Sequence, residues 1–241
     1  MTRLECVDLT RRYGGVRALD AITLTMDTGA AAGVHGIIGP NGSGKTTLFN
    51  VLSGFVRPTS GRVRFDGADV TRWPAYRRSR RGLVRTFQQA MSFPGLTVRR
   101  SLELAALAAK TGRESVERVI ASAQLEPFLD DVCGSVPFGV ARRLGVALAL
   151  LRGPKLLLLD EPAAGLNDGE SERLADLLVS LASDGTDILV VEHDLSFLAR
   201  ACTRLYAIDA GRLIAEGEPQ DVLAAPQVVE SYLGRVADAT D

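Results

Sequence analysis

Cysteine and net charge are both scarce in this chain of 241 residues. Its three cysteines, Cys6, Cys133 and Cys202, lie far apart and form no metal-binding spacing. An odd number of cysteines without a disulfide framework is typical of a reduced, cytosolic protein. The formal net charge of −1 supplies no global basic field to attract nucleic acid. We therefore expect neither a disulfide-stapled domain nor a nucleic-acid partner.

Long hydrophobic runs are also missing. No apolar stretch reaches the roughly 18 residues of a membrane span, and residues 1–5 lack the apolar core of a signal peptide. We expect any connection to a membrane to go through a partner. The chain is nevertheless 46% hydrophobic, enough for a sizeable core. Its length suits one domain with subdomains, or two small domains.

One stretch of the chain fits a phosphate-binding loop at every fixed position: Gly39-Pro40-Asn41-Gly42-Ser43-Gly44-Lys45-Thr46-Thr47. The glycines let successive backbone N–H groups point at a polyphosphate. Lys45 adds a cation for the β- and γ-phosphates, and Thr46 offers a hydroxyl to Mg²⁺. A short apolar strand precedes the loop and a helically spaced apolar run follows it, so the helix N-terminus also faces the anion. The stretch therefore predicts a nucleotide site.

A second signal is the run of leucines at residues 156–159, followed by Asp160 and Glu161. Four leucines in succession predict a strand buried on both faces, as in a parallel sheet. Ligands bind at the carboxyl ends of such strands. This is the Walker B pattern, in which Asp160 would hold Mg²⁺ through water and Glu161 would polarise an attacking water. Another apolar run, residues 187–191, ends beside His193, which we interpret as a γ-phosphate contact on the same edge of the sheet.

Two further features permit more than one interpretation, and one histidine is given no role. Tyr13 either stacks on an adenine ring or is a partly buried hairpin aromatic. The arginine-rich segment 72–85 is either a surface for anions or a solvated helix face, and we favour the solvated face. His35 lies inside the strand before the phosphate-binding loop, and we assign it no chemistry.

The order of these patterns indicates the architecture. Alternating strands near residues 3–9 and 21–26, and a hairpin signal at Asp66-Gly67, predict an antiparallel layer. We predict an α/β fold: a P-loop NTPase core with a mostly parallel sheet, this N-terminal antiparallel β layer and an inserted helical subdomain. Residues 1–89 and 153–241 would form the core and 90–152 the helical subdomain of one domain.

Read together, the motifs resemble the ATP-binding cassette (ABC) family over nearly the whole chain. The matching stretches are Tyr13, the phosphate-binding loop, Thr86-Phe87-Gln88-Gln89, the Walker B run and Glu192-His193-Asp194. The resemblance implies a Q-loop at Gln88, which would contact Mg²⁺ and the attacking water, a D-loop at 164–167 and a switch histidine at His193. It also implies that two such subunits clamp ATP and Mg²⁺ between them and drive transmembrane permease subunits.

Several stretches look like the ATPases of branched-chain amino acid transporters, among them Arg85-Thr86-Phe87-Gln88 and the ending Ser231-Tyr232-Leu233-Gly234. Importers of urea or short amides and lipopolysaccharide exporters share much of this. The resemblance implies a peripheral subunit on the cytoplasmic face of the cell membrane, with a periplasmic or extracellular solute-binding protein as an indirect partner. A non-transport ABC ATPase and a P-loop kinase or regulatory module are the rival interpretations. They lack support here, because the chain shows no coiled-coil insertion, second cassette or acceptor site, and Glu161 is present.

The chain departs from the family at its signature motif, usually Leu-Ser-x-Gly-Gln. The stretch here is Val136-Pro137-Phe138-Gly139-Val140, which keeps only the glycine. In the family, the signature serine and glycine reach the γ-phosphate held by the partner subunit. We therefore expect the second ATPase subunit to be a different one with an intact signature, although Ser135 or the Gly139 N–H could compensate.

Overall fold

The computed structural model of the protein describes residues 3–27, 32–86 and 93–238, and within these ranges the chain forms two β-sheets flanked by helices. The strands are β1 (Arg3–Tyr13), β2 (Val16–Asp27), β3 (Val34–Ile38), β4 (Ser60–Phe65), β5 (Ala68–Asp69), β6 (Leu83–Arg85), β7 (Leu156–Asp160), β8 (Asp187–Val191), β9 (Arg204–Asp209) and β10 (Arg212–Gly217). The helices are α1 (Lys45–Ser53), α2 (Ala75–Arg81), α3 (Val98–Ala109), α4 (Arg113–Ser122), α5 (Phe138–Leu150), α6 (Asp168–Ser183), α7 (Leu195–Ala201), α8 (Pro219–Ala224) and α9 (Pro226–Asp238). Among the helices of these ranges, none is long and apolar enough to cross a membrane.

The antiparallel sheet has the strand order β2-β1-β4-β5. Its first two strands form a hairpin that closes where Tyr13 pairs with Val16. Both strands are longer than the apolar alternation predicted, because backbone pairing continues through polar residues after the buried positions end. Arg12 of β1, for example, still pairs with Arg17 of β2. The predicted antiparallel layer is confirmed.

The second sheet has the order β10-β9-β3-β8-β7-β6 and is parallel except for the edge strand β10. Its strands β3, β7 and β8 are buried at every position, which is why they read as unbroken apolar runs. Since these three strands run in one direction, their carboxyl ends meet at one edge. The predicted P-loop core is therefore confirmed, and that edge positions the candidate site.

Helices α3, α4 and α5 lie between β6 and β7 in the chain. Helix α3 begins after Thr97, whose side chain caps it by accepting the N–H of Arg100 at 3.2 Å. It ends at Lys110, whose left-handed backbone breaks it from α4. These helices fall inside the range 90–152 predicted for a helical subdomain, but its exact bounds stay a prediction.

The interpretation of the arginine-rich segment as a solvated face is wrong for Arg78. This side chain is 1% exposed and its guanidinium donates to the carbonyl oxygens of Val51 (2.8 Å), Leu52 (2.6 Å), Thr71 (3.1 Å) and Trp73 (3.1 Å). Two of these carbonyls belong to the last turn of α1, where helical C=O groups lack intrahelical partners. Burial lowers the pKa of Arg78 to about 10. Arg78 therefore joins α1 to α2 from inside the core.

The rest of that segment mixes aromatic residues with its arginines, a feature that the solvated-face interpretation overlooked. The Arg77 guanidinium lies 4.0 Å from the ring centroid of Trp73, and that of Arg80 lies 5.7 Å from Tyr76. Arg77 and Arg80 are nevertheless exposed, so the solvated-face interpretation holds for them. At exposed sites a cation–π contact contributes only about 0.5–1 kcal/mol.

Candidate nucleotide site

The phosphate-binding loop lies between β3 and α1 and depends on two glycines. A Cβ on Gly39 would lie 2.0 Å from the carbonyl oxygen of Ile208 in β9. A Cβ on Gly44 would lie 2.5 Å from the carbonyl oxygen of Ala18 in β2, and Gly44 has a φ of +110°. Because the loop runs directly against two other backbones, no larger residue fits at either position.

Lys45 begins α1 and is buried, with its side chain folded back onto the loop. Its Nζ donates to the carbonyl oxygens of Gly39 at 2.6 Å and Pro40 at 3.0 Å. The ammonium is thus held within the curl of the loop, next to the helix N-terminus. First-turn N–H groups of a helix have no intrahelical acceptor, so charge and donors converge where a polyphosphate would bind.

The other predicted loop residues divide between the interior and the surface. Ser43 is fully buried, and its carbonyl oxygen accepts the N–H of Gly211, in the β9–β10 turn, at 2.9 Å. This contact fixes the phosphate-binding loop to the β9–β10 turn. Pro40 is also buried and Thr47 partly so, whereas the exposed residues of the loop are Asn41, Gly42 and Thr46. The Thr46 side chain therefore faces the open side of the site.

The Walker B acids lie at the end of β7. Asp160 pairs with Val191 of β8 and is almost fully buried. Glu161 donates its backbone N–H to the carbonyl oxygen of Val191 at 2.9 Å and has a φ of +47°. A left-handed backbone is unusual for a glutamate and is often found at functional sites. The chain thus turns away from the sheet at the residue that we interpret as catalytic.

Arg85 is a site residue that the sequence interpretation missed. Its Nη2 lies 2.8 Å from Asp160 Oδ2, and its Nη1 donates to Asn50 Oδ1 at 2.7 Å and Ser53 Oγ at 3.0 Å. Its side chain is only 8% exposed, so the solvated-face interpretation is wrong here as well. Arg85 fixes the Asp160 carboxylate to α1. The sequence contained one sign of this role, because Arg85 is a charged residue at the end of an apolar strand.

His193 lies just beyond the end of β8, at the same edge of the sheet as Asp160. Its side chain is 63% exposed, and its Nδ1 lies 3.8 Å from Glu192 Oε2. Asp194 then caps α7 by accepting the N–H groups of Ser196 at 2.9 Å and Phe197 at 3.1 Å. His193 is therefore presented in a short loop between a buried strand and a capped helix.

Tyr13 lies at the tip of the β1–β2 hairpin and is 44% exposed. The guanidinium of Arg11 is 4.4 Å from its ring centroid. Because Ala18 of the same hairpin packs against Gly44, the hairpin borders the phosphate-binding loop. Its role as an adenine platform stays a prediction. Gln88, the predicted Q-loop residue, lies outside the described residues.

The signature stretch surrounds the start of α5. Pro137 is the N-cap residue, and the Phe138 ring, half-exposed, packs against Gly165. The Gly139 N–H donates to Glu170 Oε1 at 3.3 Å, so this donor already has a carboxylate acceptor. Two further residues complete the stretch, the partly buried Val136 and the buried Val140.

Tyr232 of α9 also reaches the site, which the sequence interpretation did not anticipate. Its hydroxyl accepts the backbone N–H of Gly39 at 2.9 Å. Burial raises the pKa of this hydroxyl, so it stays protonated at neutral pH. The phosphate-binding loop is therefore supported by the last helix of the chain.

The residues present fit Mg²⁺ bound together with a nucleotide. Within the part of the chain that the structure describes, no three His, Cys, Asp or Glu side chains cluster as a metal site. Mg²⁺ in nucleotide sites takes only one or two carboxylates and completes its shell with phosphate oxygens and water. Asp160 and the Thr46 hydroxyl supply that kind of donor set.

Comparisons with known proteins agree with this geometry. The family model described as "ABC transporter" matches residues 19–164. The high-affinity branched-chain amino acid transport ATP-binding protein BraF of Pseudomonas aeruginosa is 34% identical, over 96% of this chain and 97% of that protein. The lipopolysaccharide export system ATP-binding protein LptB of Haemophilus influenzae is 30% identical, over 97% and 98%.

A similar solved structure is the ADP conformation of MJ1267, an ATP-binding cassette of an ABC transporter. It superposes with a TM-score of 0.88 at 30% identity, covering 97% of this chain and 99% of that one. The chain belongs to the ABC transporter ATP-binding family. It is an ATPase, and the resemblance to branched-chain amino acid transport ATPases is confirmed.

Proposed function

We propose that this protein powers the import of branched-chain amino acids, or of a related small polar solute, across a cell membrane. The observation that carries the ATPase role is the meeting of three parallel strand ends: Lys45 follows β3, Asp160 ends β7 and His193 follows β8. The solute assignment rests on likeness to relatives such as BraF over almost the full chain.

In the proposed mechanism, Lys45 and the loop N–H groups hold the β- and γ-phosphates of ATP. Asp160, Thr46 and Gln88 would hold Mg²⁺, which offsets the charge of the phosphates. Glu161 accepts a proton from the attacking water, and His193 contacts the γ-phosphate. Tyr13 stacks on the adenine ring. Arg85 keeps the Asp160 carboxylate in place while this happens.

ATPases of this family act as dimers on membrane permease subunits. We propose that this chain sits peripherally at the cytoplasmic face of the membrane, pairs with a different ATPase subunit, and serves a solute-binding protein indirectly. Helix α5 supports the unequal pairing, since Pro137 offers neither a hydroxyl nor an N–H and Gly139 already donates to Glu170. The neighbouring genes offer a direct check, because two permease genes, a second ATPase gene and a binding-protein gene would all be expected.

Uptake assays in the native cell test the solute assignment. Deleting this gene should abolish high-affinity uptake of labelled leucine, isoleucine or valine. The wild-type gene should restore it, and a Glu161→Gln copy should not. Unchanged uptake of all three amino acids, with loss of urea or amide uptake, would move the assignment to that solute class.

Lipopolysaccharide export is the second candidate, because LptB covers nearly the whole chain at 30% identity. It predicts a different phenotype: depletion of the protein would deplete lipopolysaccharide from the cell surface while amino acid uptake continued. Affinity purification from membranes separates both from a non-transport ATPase, which would not bring permease subunits with it.

A further inference from the structure

Glu192 is a buried carboxylate at the exit of β8 to which the mechanism above gives no role. It is 1% exposed. Its Oε1 accepts the backbone N–H of Ala163 at 2.6 Å, and its Oε2 accepts the backbone N–H of His193 at 3.1 Å. One side chain thus bonds two loops, the one after the Walker B acids and the one that carries His193.

Backbone N–H groups around Glu192 compensate its buried carboxylate for the loss of water. Burial raises the pKa of its carboxyl, and the N–H groups of Ala163, His193 and Asp194 oppose that shift. A carboxylate held by backbone donors is directional, because each oxygen accepts along a defined line. The position of the His193 backbone is therefore tied to that of Ala163.

A second contact extends this connection to α5, the helix that begins within the signature stretch and is called the signature helix below. Arg142 of α5 donates from Nη2 to the carbonyl oxygen of Ala164, at 3.2 Å, and its guanidinium lies 4.7 Å from the Phe138 ring centroid. The same ring packs on Gly165. The signature helix thus contacts the D-loop, and the residue just before the D-loop is bonded to Glu192.

We propose that Glu192 is a positioning residue that couples the D-loop to His193, so that a shift of the signature helix against the D-loop changes where His193 lies. The inference rests on the proposed role of His193 in hydrolysis. If Glu192 were only a packing residue, it would fill space and satisfy two N–H groups. If it couples the two loops, loss of one acceptor should also slow turnover without weakening nucleotide binding.

The Glu192→Gln variant separates these possibilities. Its amide has one oxygen, so it accepts from one loop and turns its NH₂ toward the donor of the other. In the transporter complex purified through a tag on this subunit, we expect kcat for ATP to fall about ten- to a hundredfold, the effect of losing one hydrogen bond to a charged group. The dissociation constant for ATP should change less than about threefold. An unchanged kcat, or kcat and affinity falling together with the melting temperature, would overturn the coupling.

Asp194→Asn is the matched control. It removes a neighbouring carboxylate charge but keeps an oxygen that caps α7, so kcat should stay at the wild-type value. If Glu192→Gln does not fold, Glu192→Asp keeps the charge with a shorter reach and should show the same loss of kcat at unchanged affinity.

A second measurement does not depend on turnover. In the nucleotide-free full chain, amide hydrogen exchange should quicken together at Ala163 and at His193 in Glu192→Gln, and remain unchanged in Asp194→Asn. Quickening at only one loop would contradict the coupling. Failure of the proposed function looks different, because an inactive wild-type complex would leave this paired exchange response intact.

Discussion

Lys45 holds an ammonium over the phosphate-binding loop through two carbonyl contacts, at 2.6 and 3.0 Å. We predict that Lys45→Ala loses most of its ATP affinity while the fold survives, because the cation is removed and the loop glycines remain. Nucleotide titration together with a thermal melt checks both halves. Unchanged ATP binding by a folded variant would remove Lys45 from the site.

Glu161 projects from a left-handed backbone immediately after a buried strand. We predict that Glu161→Gln binds Mg·ATP normally but hydrolyses it very slowly, since the amide keeps the shape and hydrogen bonding of the side chain but cannot accept a proton. Losing a positioned base typically costs about 10²–10⁴-fold in rate. Single-turnover hydrolysis in the assembled transporter measures this. Near-wild-type turnover at this subunit's own site would refute the assigned role.

His35 is a buried residue whose protonation affects the stability of the fold only at acidic pH. Its ring stacks on Tyr206 and is 6% exposed, and burial lowers its pKa from 6.5 to about 4. Because the unfolded chain binds the proton first, stability is full above about pH 6.5 and falls as the pH drops towards 4. At pH 5 the loss amounts to about 2 kcal/mol, since each pKa unit corresponds to 1.36 kcal/mol.

We therefore predict that His35→Phe shows less acid destabilisation than the wild type. The difference in unfolding free energy between pH 7.5 and pH 5 should be smaller by about 2 kcal/mol in the variant. Urea denaturation at the two pH values measures it, and comparing the proteins cancels the titration of other groups. Equal pH dependence of both proteins would show that His35 titrates normally in the fold.

Motif spacing predicted the placement of the acids and His193, because parallel strands present their carboxyl ends at one edge. It did not predict the side chains that hold Asp160 or the phosphate-binding loop in place. Arg85 and Asp160 are 75 residues apart, and Gly39 and Tyr232 are 193 apart. Such contacts depend on the tertiary fold, so the spacing of nearby residues in the sequence cannot predict them. Buried charges next to apolar strands, such as Arg85, were the only local sign.

At the scale of elements, Arg78 shows how one side chain fixes two helices. It donates to four carbonyl oxygens, two of them in the last turn of α1, and a helix C-terminus favours a cation. A pattern of arginines on a short helix cannot reveal which of them turns inward, because the deciding partner is α1, more than twenty residues earlier. The lengths of β1 and β2 were underestimated for a similar reason, since ladder hydrogen bonds do not require apolar side chains.

We predict that Arg78→Met destabilises the protein by about 3 kcal/mol or more, because buried carbonyl oxygens lose their charged donor. The melting temperature should fall by roughly 6–12 °C, at about 2–4 °C per kcal/mol for a chain of this size. Arg81→Met, at an exposed position on the same helix, is the control and should stay within about 0.5 kcal/mol of the wild type. Equal effects of both substitutions would contradict a special role for Arg78.

At the scale of the whole molecule, the two faces of the cassette are unequal. The described P-loop side keeps the residues of the phosphate-binding loop and the Walker B acids, whereas Pro137 caps the start of α5 and the Gly139 N–H is bonded to Glu170. Ser135, the alternative donor, gives its hydroxyl hydrogen to the carbonyl oxygen of Val132 at 2.9 Å. A hydrogen bond to a charged group contributes about 1.5–3 kcal/mol, so a missing one weakens a closed dimer roughly ten- to a hundredfold.

We predict that the purified protein dimerises poorly with Mg·ATP and hydrolyses little of it alone, because both sites of a homodimer would contain this signature. Adding the partner cassette and the permease subunits should restore hydrolysis at the site that contains Lys45. Light scattering on the Glu161→Gln protein, which retains ATP, measures the dimer, and Pro137→Ser in the same background should strengthen it by returning a hydroxyl and an N–H. Strong ATP-driven homodimerisation of the unaltered signature, with full activity in isolation, would refute the asymmetric arrangement.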